Sequence, residues 1–123
     1  MTEDLIAHFS GTARASLAVK HGSTGYFAVT PHAPYDGSLS VAQQGRQLLA
    51  KSEARLEQIG SSKNKLLLVV TMVHDIDSLA EFNAVWDDWI AGNKPPVRAC
   101  FAARLGNPNL KIEQIVVCAI NQV

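Results

Sequence analysis

With 123 residues, 47% of them hydrophobic and 18% charged, the chain has the size and apolar content of a single domain with one core, and no Pro/Gly/Ser-rich linker or long charge run divides it. Eleven basic and eleven acidic side chains are mixed along the sequence to a net charge of zero, which argues against nucleic acid or an anionic membrane as partner and toward a small molecule held in a site. There is no apolar run of about 18 residues, and residues 1–10, with Glu3 and Asp4, lack the basic-then-apolar layout of a signal peptide; a cytoplasmic location is expected.

Residues 16–30 carry the β-formers Val19, Tyr26, Phe27 and Val29 around His21-Gly22-Ser23 and predict a β-hairpin. A loop with Pro31, Pro34 and Gly37 follows. From 41 to 59 the apolar or small residues Val41, Gly45, Leu48, Leu49, Ser52, Leu56 and Ile59 recur at steps of three and four, Ser40 with Gln43 forms a capping box, and Gly60 ends the segment. This is an amphipathic helix. Residues 66–73, LLLVVTMV, are a short, β-branched apolar run that predicts a central strand buried on both faces. A second helix is expected to start at a capping box of Ser78 with Glu81, to align Leu79, Phe82, Trp86, Trp89 and Ile90 on one stripe, and to stop at Gly92 and Pro95-Pro96. Two more strands, 97–105 and 111–120, flank Gly106-Asn107-Pro108-Asn109, whose turn chemistry predicts a hairpin.

The expected fold is therefore α+β, a ββαβαββ mixed sheet with both helices on one face. The other face also needs cover. In so small a chain that cover is expected from a second subunit.

Along the last hairpin Arg98, Cys100, Ala102 and Arg104 share one strand face. A four-residue loop would pair Leu105 with Leu110, setting Arg98 opposite Val117 and Ala102 opposite Glu113, so that Arg98 and Glu113 point to the same side roughly 13 Å apart. The slot between them would suit a small carboxylate ligand, since guanidinium grips carboxylate with two parallel hydrogen bonds while Glu113 orients or deprotonates water. A surface or interface ion pair is the plain structural alternative. Cys100 and Cys118 lie in apolar stretches without metal or disulfide spacing and read as buried thiols. His8 falls in a frayed segment, His21 in a turn and His74 at a strand end. His32 and Tyr35 sit in the Pro-rich loop, which reads as a solvated segment rather than a pocket wall. No two histidines have metal spacing, and neither a metal nor an organic cofactor is expected.

The tract Pro95-Pro96-Val97-Arg98-Ala99-Cys100, then Ala103-Arg104-Leu105, Pro108 and Lys111-Ile112-Glu113, resembles the signature block of the reactive-intermediate deaminase (Rid, or YjgF-type) superfamily. So do Phe82-Asn83-Ala84-Val85-Trp86 and the passage from Gly60 to His74-Asp75, and the likeness runs over residues 14–120. It implies one Rid-like domain over residues 1–123, a chorismate-mutase-like fold and a homotrimer. In residue roles it implies that Arg98 binds a substrate carboxylate, that Glu113 positions or activates water, that Cys100 lines the pocket without acting as a nucleophile, and that Asn83 supports it. Two positions depart from the family pattern. Its Pro-Tyr-Ser motif falls on Arg14-Ala15-Ser16, which replaces the pocket tyrosine with Ala15 and adds the charge of Arg14, and a strand glycine beside the ligand falls on Val29. These replacements resemble divergent branches of the superfamily. Arg14 and Val29 join Arg98, Cys100 and Asn83 as candidate substrate-binding positions.

The expected activity is hydrolysis of a reactive enamine or imine, derived from an amino acid, to a 2-oxo acid and ammonia. An imine carbon is already electrophilic, so such a site needs mainly to bind the carboxylate, deliver water and move protons. The competing reading, favoured by the lost tyrosine, is a non-catalytic protein that binds a small oxo acid or amino acid. An endoribonuclease or translation-inhibitor role, attached to some family members, fits poorly with zero net charge. A mutase activity would rest on fold analogy alone.

Overall fold

The turn at His21-Gly22-Ser23 forms as its composition dictates. In the computed structural model, which describes residues 5–121, β2 (Ala18–His21) and β3 (Thr24–Val29) pair antiparallel across a turn in which Gly22 takes φ +60°, a left-handed conformation that suits glycine. A further strand, β1 (Ile6–Phe9), adds to the other edge of β2, with Ile6 opposite His21 and Phe9 opposite Ala18. The order is thus βββαβαββ, and the segment of His8, expected to be frayed, is a strand. Its four residues carry no period-two alternation, and pairing with β2 supplies what the local sequence does not.

Helix α1 (Val41–Gln58) begins at the expected capping box, with Ser40 Oγ accepting from the Gln43 N–H at 3.1 Å and Gln43 Oε1 accepting from the Ser40 N–H at 2.9 Å. Gly60, at φ +87°, follows its end. Helix α2 (Leu79–Ile90) buries Phe82, Val85, Trp86 and Ile90. Its capping box does not form. Ser78 Oγ donates instead to the Asp75 carbonyl at 2.6 Å, and Glu81 accepts from the Ala42 N–H at 2.9 Å, tying α2 to the first turn of α1. That first turn has unpaired backbone N–H groups and no acidic residue of its own, so a carboxylate from the neighbouring helix is well used there.

Strands β4 (Leu66–Val73), β5 (Val97–Ala102) and β6 (Ile112–Ala119) complete one six-stranded sheet of order β1-β2-β3-β6-β4-β5. The expected β5–β6 hairpin is absent. β5 lies parallel to β4, Arg98 beside Val69 and Cys100 beside Thr71, while β6 runs antiparallel between β3 and β4. The physical reason is the crossover: α2 packs on the sheet between β4 and β5, and a strand-helix-strand unit of this kind delivers parallel neighbours. The Gly106-Asn107-Pro108-Asn109 turn does exist, but within a longer connection that carries the chain past β4.

Both helices cover one face of the sheet. Phe27, Val29, Val69, Val73, Ile112, Val116 and Cys118 pack there against Val41, Leu48, Leu49, Leu56, Phe82, Trp86 and Ile90. The far face has no second layer, and Tyr26, Val97, Phe101 and Ile115 remain 43%, 68%, 47% and 44% exposed. For that reason β4 alternates between buried and partly open positions rather than being buried on both sides. Among the described residues no helix is long and apolar enough to cross a membrane.

Candidate functional site

Alternation along β5 sends Arg98 and Cys100 toward the helices and Val97, Ala99 and Phe101 to the far face. Because β5 is the sheet edge, the Arg98 side chain lies along α2 at the rim of the core. Its Nη2 donates to Asn83 Oδ1 at 2.9 Å and to Cys100 Sγ at 3.4 Å, and its guanidinium carbon sits 4.9 Å from the centre of the Trp86 ring. Asn83 and Trp86 are three residues apart on α2, hence on one helix face. Trp86 is 3% exposed and wedged between Phe82 and Trp89, with ring centroids 6.5 Å and 5.5 Å away. This is a rigid cation–π floor under the guanidinium.

Arg98 lacks a counter-charge. Among the described residues no carboxylate lies within ion-pair range of it, and its Nε is shut off from solvent without a hydrogen-bond partner. A partly desolvated guanidinium with unused donors is an anion-binding group by its chemistry.

Glu113 lies elsewhere. Ile112, Gln114, Val116 and Cys118 of β6 face the helices, so Glu113 faces away, in a row with Met72 of β4 and Phe101 of β5. The same-face slot expected between Arg98 and Glu113 therefore does not exist within one chain. That arithmetic paired β5 directly with β6; with β4 between them the shared side is lost. Burial among apolar neighbours pushes the Glu113 carboxyl above the usual glutamate range, and no hydrogen-bond partner holds it among the described residues.

The remaining candidates are dispersed. Val29 is 2% exposed, its side chain in the core and its strand position opposite Gln114. Arg14 and Ala15 are exposed on the β1–β2 connection, where Thr12 Oγ1 accepts from both of their N–H groups at 3.2 Å. That connection borders the sheet edge opposite β5. His32 is exposed, its N–H donating to Gln47 Oε1 at 3.3 Å, and the Tyr35 hydroxyl donates to Thr30 Oγ1 at 3.1 Å, so this loop packs on α1. Cys118 is fully buried, and burial raises its thiol pKa. Arg98, Asn83 and Cys100 are thus brought together, while Glu113, Arg14 and Val29 are not. Trp86 was legible only as a core residue; its spacing from Asn83 is the signal that ties it to Arg98.

Comparison with known proteins gives the frame. Residues 6–121 match the family described as Endoribonuclease L-PSP. A RutC family protein of Haemophilus ducreyi is 32% identical over 117 residues, covering 95% of this chain and 98% of that protein, and the RutC family protein YoaB of Escherichia coli is 31% identical, covering 94% and 98%. A YjgF-family protein from Neisseria meningitidis superimposes with a TM-score of 0.86 at 30% identity, covering 96% of this chain and 97% of that one. A putative translation initiation inhibitor from Salmonella typhimurium gives 0.83 at 30%, covering 94% and 97%. The fold, the Arg98 tract and these relatives agree, and the chain belongs to the Endoribonuclease L-PSP family, within the Rid/YjgF superfamily that its sequence resembles.

Proposed function

We propose that this protein is an enamine/imine deaminase, hydrolysing a reactive 2-imino acid derived from an amino acid to a 2-oxo acid and ammonia, and that it does so as a homotrimer in the cytoplasm. The observation that carries the reading is Arg98: a guanidinium seated on Trp86 and steadied by Asn83, with no carboxylate among the described residues to neutralise it. It is preorganised for a substrate carboxylate.

Because Arg98 and Glu113 lie on opposite faces of one sheet, they can act on one substrate only if the β5 edge of one protomer meets the far face of another. The uncovered apolar face carrying Tyr26, Val97, Phe101 and Ile115 supports such an assembly, since a patch of that kind is costly on a free chain. In the composite pocket Arg98 holds the carboxylate, Cys100 lines the wall, and the Arg14 connection closes the neighbouring side.

Glu113 takes a proton from water as its oxygen bonds to the imine carbon, and the C=N bond becomes a single bond. It returns that proton to nitrogen to give a neutral carbinolamine, then carries the hydroxyl proton to nitrogen as the C–N bond breaks, so that the C=O bond forms and ammonia leaves. A carboxyl pushed above its ordinary range is a better base than an exposed glutamate and suits both steps. Metal and organic cofactors have no part in this sequence of steps.

The non-catalytic reading, a binder of small oxo acids or amino acids, is favoured by Ala15 where the family has tyrosine. One experiment separates the two. Imines are generated with an amino-acid oxidase in the presence of a carbonyl trap, and the protein should divert them to oxo acid and ammonia faster than water does. Stoichiometric oxo-acid binding without faster ammonia release would select the binder.

A further inference from the structure

Helix α1 carries one polar side chain that its amphipathic pattern does not account for. Gln44 is 1% exposed, on the same buried face as Val41, Gly45 and Leu48. A carboxamide in such a place is costly unless its polar atoms are paired. Here Nε2 donates to the carbonyl oxygens of Asp36 at 3.0 Å and Asn109 at 2.8 Å, and Oε1 accepts from the Lys111 N–H at 2.8 Å.

None of those three backbone groups belongs to a strand or helix. Asp36 is in the connection between β3 and α1; Asn109 and Lys111 are in the connection between β5 and β6, which begins at Ile112. The two connections also meet directly, with Lys111 Nζ donating to the Leu39 carbonyl at 2.7 Å and Gly37 so close to Asn109 that an added Cβ would lie 2.6 Å from Asn109 Oδ1. Gln44 therefore fixes the point at which β6 enters the sheet. Glu113 is the second residue of that strand, and with no side-chain partner among the described residues its carboxylate goes where the backbone carries it.

We infer that Gln44 is a positioning residue for Glu113, setting the place of the carboxylate through the Lys111 N–H and the Asn109 carbonyl. The inference rests on the deaminase reading for its kinetic consequence and on geometry alone for its structural one. Replacing Gln44 alone leaves the Asp36 and Asn109 carbonyls and the Lys111 N–H without it, so a loss of stability is expected on either view and only kinetics or the placement of Glu113 separates them. Two of the three Gln44 bonds go to the backbone that leads directly into the strand of the candidate catalytic residue.

The test compares Gln44→Met, which keeps the volume and removes all three bonds, with Gln44→Glu, which keeps the acceptor for Lys111 but sets a carboxylate against two carbonyls. In imine hydrolysis both should lower kcat roughly ten- to hundredfold, with KM held within about threefold because Arg98 is untouched. Lowered thermal stability with unchanged kcat would overturn the inference, leaving Gln44 a structural clamp. Should Gln44→Glu not fold, Gln44→Met alone makes the comparison without bringing charge into the core. If the unaltered protein hydrolyses no imine, the deaminase reading fails separately. The inference is then judged by carboxyl-carbon NMR of Glu113 and hydrogen exchange of the Lys111 amide. Gln44→Met should move the Glu113 titration and speed that exchange, and an unmoved titration would overturn it.

Discussion

Arg98→Ala tests the site most directly because its two consequences have separable sizes. The substitution removes the hydrogen bond to Asn83 and the cation–π contact with Trp86. The first is worth about 1 kcal/mol and the second about 0.5–1 kcal/mol at a partly exposed site, so the fold should lose roughly 1–2 kcal/mol. A charge-assisted grip on a carboxylate contributes about 1.5–3 kcal/mol, so oxo-acid affinity should fall about ten- to 150-fold. Arg98→Lys keeps the charge without the planar fork and should recover only part of that loss. Calorimetric titration with a small 2-oxo acid measures affinity, denaturant unfolding measures stability, and the fluorescence of buried Trp86 reports both. If Arg98→Ala binds oxo acids with unaltered affinity while losing the expected stability, Arg98 is a packing residue and the carboxylate-clamp argument is refuted.

Glu113→Gln preserves shape and removes the basic oxygen, so single-turnover imine hydrolysis should slow by roughly a hundredfold or more while oxo-acid affinity holds; full activity would exclude Glu113 as the base. Burial raises the Glu113 pKa, so the folded chain keeps this proton to higher pH than the unfolded chain does, and the carboxylate weighs against folding above that range. Glu113→Gln should accordingly be more stable than the parent near neutral pH, with the advantage shrinking as pH falls through the carboxylate range, as followed by chemical denaturation at several pH values. Light scattering should give a mass near three times 13.3 kDa, and Ile115→Glu, on the open apolar face, should lower it; a stable monomer for the parent would remove the composite pocket. Gly45→Ala should destabilise the fold by about 1–2 kcal/mol in thermal unfolding, because its Cβ would lie 2.7 Å from fully buried Phe82 and the overpacking outweighs the gain in helix propensity.

Features decided by a few neighbouring residues were legible in the sequence. Ser40 with Gln43, Gly60 after α1, Gly22 in its turn and the stripe from Phe82 to Ile90 each act over one or two helical turns or a single hairpin. Features decided across the sheet were not. The turn at Gly106-Asn107-Pro108-Asn109 is favourable by itself, yet strand placement followed the α2 crossover, and this misassigned the faces of Arg98 and Glu113. Ser78 and Glu81 have capping-box spacing, but Glu81 found a stronger use at the start of α1, a contact between residues 39 positions apart. Within the site, the Arg98, Asn83 and Cys100 grouping was visible through resemblance, whereas the Trp86 floor and the Gln44 bonds depend on how helices dock, which periodicity does not encode.

The position of β6 bears on how the chain is made. It comes last in chain order among the strands, yet it lies in the interior of the sheet, joining β3 on one side, where Thr24 meets Ala119, to β4 on the other, where Val73 meets Ile112. Until it leaves the ribosome, the β1–β3 meander and the β4–α2–β5 unit share no strand pairing, and each presents an open edge to the solvent. Closure of the sheet awaits the late residues and must then span nearly the whole sequence, a slow step on grounds of loop closure. A nascent chain stalled before β6 would be two half-sheets with unmatched edges, the form most exposed to aggregation and most dependent on chaperone cover.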